Sequence, residues 1–147
     1  MAGLRCIITP AAAISFSAGV AKTGLILIAP SNHRLQITQI GGFTTLASPT
    51  AAPGTLTIYT ASTAGTTTSL TPKLLCAGSE TPQATGGCDA TVEPSVSEIK
   101  KIILLDRGYM EARAINQQIE VPGGTRIALK FSFAAAVDIL PYIEYEE

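Results

Sequence analysis

Ile127-Ala-Leu-Lys-Phe-Ser-Phe133 sets a large apolar side chain at every second position, and Val137-Asp-Ile-Leu-Pro-Tyr-Ile-Glu-Tyr145 repeats the alternation less cleanly. A period of two is the mark of a strand with one buried face. Ala134-Ala135-Ala136 between the runs is short enough for a connecting turn, so the two are expected to pair antiparallel. Just upstream, Ile119-Glu-Val121 meets Pro122-Gly123-Gly124, where proline presets the first turn angle and glycine accepts the positive φ that follows. A hairpin is therefore expected over 119–133.

Working outward, Gly24–Ala29 is a continuous apolar run ended by Pro30, the pattern of a strand buried on both faces. Leu35–Ile40 follows a Pro-Ser-Asn-His turn cluster, and Leu56–Thr60 lies between Pro53-Gly54 and Ala64-Gly65. Leu4–Thr9, Ala13–Phe16, 99–105 and 109–115 bring the total to about nine or ten short strands, the spacing of an all-β sandwich or barrel. One segment supports two readings. Ser95-Val-Ser-Glu98 ahead of Ile99 fits a helix capping box, whereas Ile102-Ile-Leu-Leu105 followed by Asp106-Arg-Gly108 fits a strand and turn; strand is the expectation. Residues 61–97 are rich in Ser, Thr, Gly and Pro, with Leu74-Leu75 the dense apolar pair, and read as a long ordered excursion that meets a partner. The expected organisation is an N-terminal arm or edge strand over 1–20 and one sandwich domain over 21–147.

Only 14% of the 147 residues are charged, while 46% are hydrophobic, against about 25% charged in an ordinary soluble domain. So few charges leave much surface to small polar residues or to another protein. Ten basic residues face eleven acidic ones with no basic cluster, and there is no tryptophan, so neither phosphate neutralisation nor a base-stacking platform is encoded. No nucleic-acid partner is expected. The uncharged stretch between Arg34 and Lys73 is broken by Gly41-Gly42, Pro49, Pro53 and Gly54, which excludes a spanning helix of about 20 apolar residues, and no membrane partner is expected. Arg5, the apolar run Cys6–Phe16 and Gly19-Val20-Ala21 imitate a secretory signal; the expectation is that they belong to the folded protein.

Little in the chain carries chemistry. His33 is the single histidine, and no Gly-x-Ser-x-Gly elbow accompanies it, so a hydrolytic triad lacks its parts. Set between Pro30 and the Leu35 strand, it reads as a polar corner, with contact across an interface as its other role. Cys6, Cys76 and Cys88 lack Cys-x-x-Cys spacing and are expected to be free thiols, although Cys76 and Cys88 would bridge in an oxidising setting. Asp89 and Glu93 are two separated acids in a loop, expected to be solvated rather than a metal site. Glu144, Glu146 and Glu147 read as a solvated tail. No catalytic residue, metal or cofactor is expected.

The succession V-A-K-T-G-L-I-L-I-A-P-S-N-H-R-L-Q-I from residue 20, S-T-A-G-T-T-T-S-L-T-P-K from residue 62, I-E-V-P-G-G-T-R-I-A-L-K from residue 119 and the ending I-E-Y-E-E resembles small virion proteins of tailed bacteriophages, above all the capsid decoration or cement proteins. The resemblance spans 20–147 and rests on turns and alternation rather than on an invariant motif. It implies a jelly-roll-like antiparallel β-sandwich, commonly a homotrimer, made in the host cytoplasm and standing on the outer capsid surface against the major capsid protein. Joined to the residue reading, it nominates Leu4, Ile7, Ile8 and Phe16 of the arm, His33, and Leu74 and Leu75 of the excursion as interface residues, with the 119–145 strands as core. The alternative is a carbohydrate-binding β-sandwich module of a tail or secreted protein, for which Tyr59, Tyr109, Tyr142 and Tyr145 are the tyrosines that would serve as platforms.

Overall fold

The computed structural model describes residues 3–44, 53–105 and 108–147, and well over half of these are in strands, with no α-helix among them. In chain order the strands are β1 (Arg5–Ile8), β2 (Ile14–Phe16), β3 (Lys22–Ile28), β4 (Leu35–Thr44), β5 (Gly54–Ala61), β6 (Thr66–Leu70), β7 (Lys73–Leu74), β8 (Thr85–Val92), β9 (Val96–Leu105), β10 (Gly108–Ala112), β11 (Ile119–Val121), β12 (Arg126–Phe133) and β13 (Val137–Glu146). They form two antiparallel sheets packed as a sandwich. The first runs β10-β4-β13-β1-β7, with β11 also on β4 and β2 also on β13; the second runs β6-β8-β3-β12-β5-β9. Because β1 and β2 share one side of β13, and β10 and β11 one side of β4, each pair is a single strand broken in the middle.

With those halves joined and β6 to β8 set aside, the sheets read (β1/β2)-β13-β4-(β10/β11) and β3-β12-β5-β9, and nearly every link crosses between sheets. That is a jelly-roll-like order. It corrects two expectations. β12 and β13 lie in opposite sheets, so they do not pair and Ala134–Ala136 spans the sandwich. The turn at Pro122 forms, with Gly124 at φ 75° and the Thr125 amide donating to the Pro122 carbonyl at 3.0 Å, yet it carries the chain from β11 on β4 to β12 in the other sheet. Alternation reveals that a strand buries one face; strands on either side of a shared core have the same alternation.

The core between the sheets is closed by Phe16, Phe131 and Phe133, with Phe16 edge-on to the other two at 5.4 and 5.8 Å, and by Leu25, Leu27, Leu56, Ile58, Ile127 and Leu129. The N-terminal segment is no arm. Cys6, Ile8, Ile14 and Phe16 are buried, and β1 sits inside its sheet between β13 and β7.

Residues 61–97 are likewise a strand-bearing structure and not a loop. β5 leads into β6 and β8 into β9 as one bent two-stranded ribbon, held at the bend by Ser62 donating to the Ser95 carbonyl at 2.9 Å and Ser95 donating to the Thr63 hydroxyl at 3.0 Å. The ribbon crosses the outer face of the second sheet, where Ile26, Tyr59, Ala61 and Ala128 form a second buried cluster. This is why β3 is buried on both faces as its sequence predicts. Glu93 fastens the crossing: its carboxylate accepts the Thr23 amide at 2.8 Å and the Thr23 hydroxyl at 2.7 Å, and pairs with Lys130 at 3.2 Å. Thr23, itself fully buried, shares a hydrogen bond of 2.7 Å with the Tyr59 hydroxyl. Beyond the crossing, β6 and β8 extend the second sheet past β3, and β7 extends the first past β1. One edge of the sandwich is thus wrapped; the other ends in β9 and β10.

Candidate functional site

The unwrapped edge carries the most unusual surface among the described residues. Against β5, Leu56 faces Ile103 and Gly54 faces Leu105, so Ile103 and Leu105 point inward and pack on the core. Thr57 faces Ile102 and Thr55 faces Leu104, which turns those two outward. The register then shifts twice, passing from Ile58 opposite Lys101 to Tyr59 opposite Ile99, and from Thr60 opposite Glu98 to Ala61 opposite Val96. Lys100 and Ser97 are the extra residues, and each bulge restores the outward direction one residue late. A spacing of three therefore stays on one face. Val96, Ile99, Ile102 and Leu104 form an outward row, exposed by 49, 52, 60 and 83%.

This explains the ambiguity of the sequence. Apolar residues at 96, 99 and 102 with Glu and Lys between them have the spacing of a helix face, and the chain realises it as a strand with two bulges. Along the same edge, Lys101 closes the gap between the sheets by pairing with Glu111 at 2.8 Å, and Arg113 pairs with the same carboxylate at 2.9 Å. A long apolar edge strand is ordinarily shortened, charged or covered. Here Glu98, opposite Thr60, points to the other side of the strand and pairs there with Lys100 at 2.6 Å, so the apolar members of the row remain bare.

The residues nominated from sequence fall elsewhere. Ile8 and Phe16 are core; Leu4 and Leu74 are half-buried and pack against it; Ile7 is half-buried in β1; Leu75 is exposed. His33 is half-buried at the corner predicted for it, its Nε2 3.2 Å from Glu147. Glu147 is no solvated tail: its side chain is 3% exposed, and its carboxylate also accepts the Gln83 amide at 3.1 Å and the Cys6 thiol at 3.6 Å. The cluster ties the far end of the ribbon to β1 and to the β3–β4 corner. Burial and the adjacent carboxylate push the Cys6 thiol up to about 11, and burial also raises Tyr145, which sits beside it. A thiol held protonated is a poor nucleophile, so this arrangement serves attachment rather than attack.

Cys6, Cys76 and Cys88 are free thiols. Asp89 pairs with Lys22, and Glu93 is spent on Thr23 and Lys130. Among the described residues no group of three or more ligating side chains converges on one point. Tyr59 and Tyr145 are buried, Tyr142 is half-buried, and the side chain of Tyr109 lies outside the described residues. Compared with known protein families, with curated proteins and with solved structures, the chain finds no match.

Proposed function

We propose that the protein is a non-enzymatic structural component of a tailed-bacteriophage virion, a decoration protein that binds the outer surface of the capsid and stabilises the shell by bridging major capsid proteins. The observation that supports this reading best is the outward apolar row of β9, an adhesive edge on an otherwise wrapped sandwich. Exposed apolar surface of this kind, in a chain poor in charge, fits contact with other proteins. Several modest contacts repeated over equivalent lattice sites would hold a shell against expansion through multivalency. The protein would act as a homo-oligomer, which the resemblance puts at three copies, and would reside on the virion after synthesis in the host cytoplasm.

Co-sedimentation with expanded phage shells stripped of their own decoration protein tests the reading. Saturable binding at a fixed ratio per capsomer is expected, together with a higher shell melting temperature; absence of binding across a panel of such shells would reject it.

A second reading has its own observation. Phe43, half exposed, and Tyr142 lie stacked at 6.2 Å with 18° between their rings, and Gln39 donates to the Tyr142 hydroxyl at 3.2 Å. An aromatic pair beside an amide is what a sugar ring packs on. Glycan-array binding lost in Phe43→Ala would move this carbohydrate-binding reading to first place.

A further inference from the structure

We infer that the β9 row is a self-recognition surface: two copies of this chain meet there antiparallel about a two-fold axis at Ile99. The inference rests on the reading of β9 as a contact surface and names its partner. The residues around Ile99 have an inverse chemical symmetry: Glu98 precedes it, Lys100 follows it, and the outward apolar residues Val96 and Ile102 stand three positions away on either side. Edge-to-edge antiparallel pairing of the free side of β9 sets Ile99 beside Ile99 and Val96 beside Ile102 on the outward face, and Glu98 of each copy beside Lys100 of the other on the opposite face. Two ion pairs thereby back one apolar seam across the joined sheet. A parallel apposition would put like charges together, which disfavours it.

Both charged groups are already side by side within one copy and both reach solvent, so they exchange partners without leaving water. A two-fold contact uses one patch twice and closes after two copies. It therefore predicts a dimer in solution in place of the trimer that the resemblance implies.

The test is light scattering on the full chain and its variants, with circular dichroism confirming that each is folded. The wild type is expected to approach about 30 kDa, twice the 15.2 kDa of the chain. Glu98→Lys and Lys100→Glu are each expected to be monomeric, with self-association weakened by more than about tenfold. Mixing the two monomeric variants should restore a dimer, since two lysines on one copy then meet two glutamates on the other. No rearrangement within a single copy produces that rescue. A monomeric or trimeric wild type, or a mixture that stays monomeric, overturns the inference. A monomer that binds shells and loses them on Ile99→Lys assigns the row to the shell protein instead and leaves the decoration reading standing. A dimer that ignores shells does the reverse.

Discussion

The two edges of the sandwich solve the same problem in opposite ways. Every open sheet ends in strands with unpaired backbone groups, and natural proteins cover, shorten or charge them. Beside β3 and β1, the ribbon adds β6, β8 and the two-residue β7, and ends on Thr66-Thr67-Thr68-Ser69-Leu70, a short strand with hydroxyl side chains at four of its five positions. Beside β5, the ten-residue β9 is left with Val96, Ile99, Ile102 and Leu104 turned outward. The chain that can wrap one edge with a long ribbon leaves the other bare, and the proposed contact surface on β9 rests on that difference.

Breaking the core should dwarf any effect at either edge. Phe131→Ala, in the aromatic cluster that both edges share, is expected to cost about 3–5 kcal/mol in denaturant unfolding, and deletion of residues 3–16 should abolish the cooperative transition, because β1 and β2 supply buried residues to that core. A deletion that left the transition intact would mean the sandwich closes without them.

The wrapped edge should respond next. Glu93→Ala removes the acceptor for the Thr23 amide and hydroxyl, leaving buried donors without it, at about 1–3 kcal/mol. Amide exchange should accelerate in β6 and β8 while β9 is unchanged; equal acceleration in all three would show that the ribbon does not fold down as a unit.

The Cys6 anchor gives a narrower effect. Its folded pKa is raised from 9.0 to about 11, so the stability it contributes is complete below pH 9 and is lost as the pH rises from 9 toward 11. The unfolding midpoint should fall across that window, and less so in Cys6→Ala. At pH 8 a thiol reagent should label Cys76, which is exposed, well ahead of buried Cys6 and Cys88.

The open edge should matter least to folding. Ile102→Ser is expected to stay within about 0.5 kcal/mol of the wild type, since the side chain is 60% exposed. A larger loss under monomeric conditions would recast the row as part of the fold.

The strands themselves were readable because alternation and turn residues are local. Pairing was not: β12 and β13 both alternate because both face one core, and nothing local distinguishes a corner at Pro122 from a hairpin. The boundaries of the excursion, 61 and 97, fell at the end of β5 and the start of β9 because composition changes there. Its strands went unseen because β6 is mostly threonine and serine and β8 holds Gly86-Gly87 and Asp89, neither of which leaves an apolar alternation. The N-terminal apolar residues resembled an arm because the break between β1 and β2, at Pro10 and the alanines after it, separates them into short pieces. The β9 row was concealed by its bulges, which turn a strand's period of two into a spacing of three; the signal that would have found it is apolar residues at 96, 99 and 102 interleaved with one acid and two bases.

Sedimentation velocity over a concentration series, comparing the wild type with Ile99→Lys on the open edge and Thr68→Lys on the wrapped one, tests the claim of unequal edges most directly. Self-association in the wild type and in Thr68→Lys, lost in Ile99→Lys, is the predicted result. Association that survives Ile99→Lys, or that Thr68→Lys abolishes equally, would contradict it.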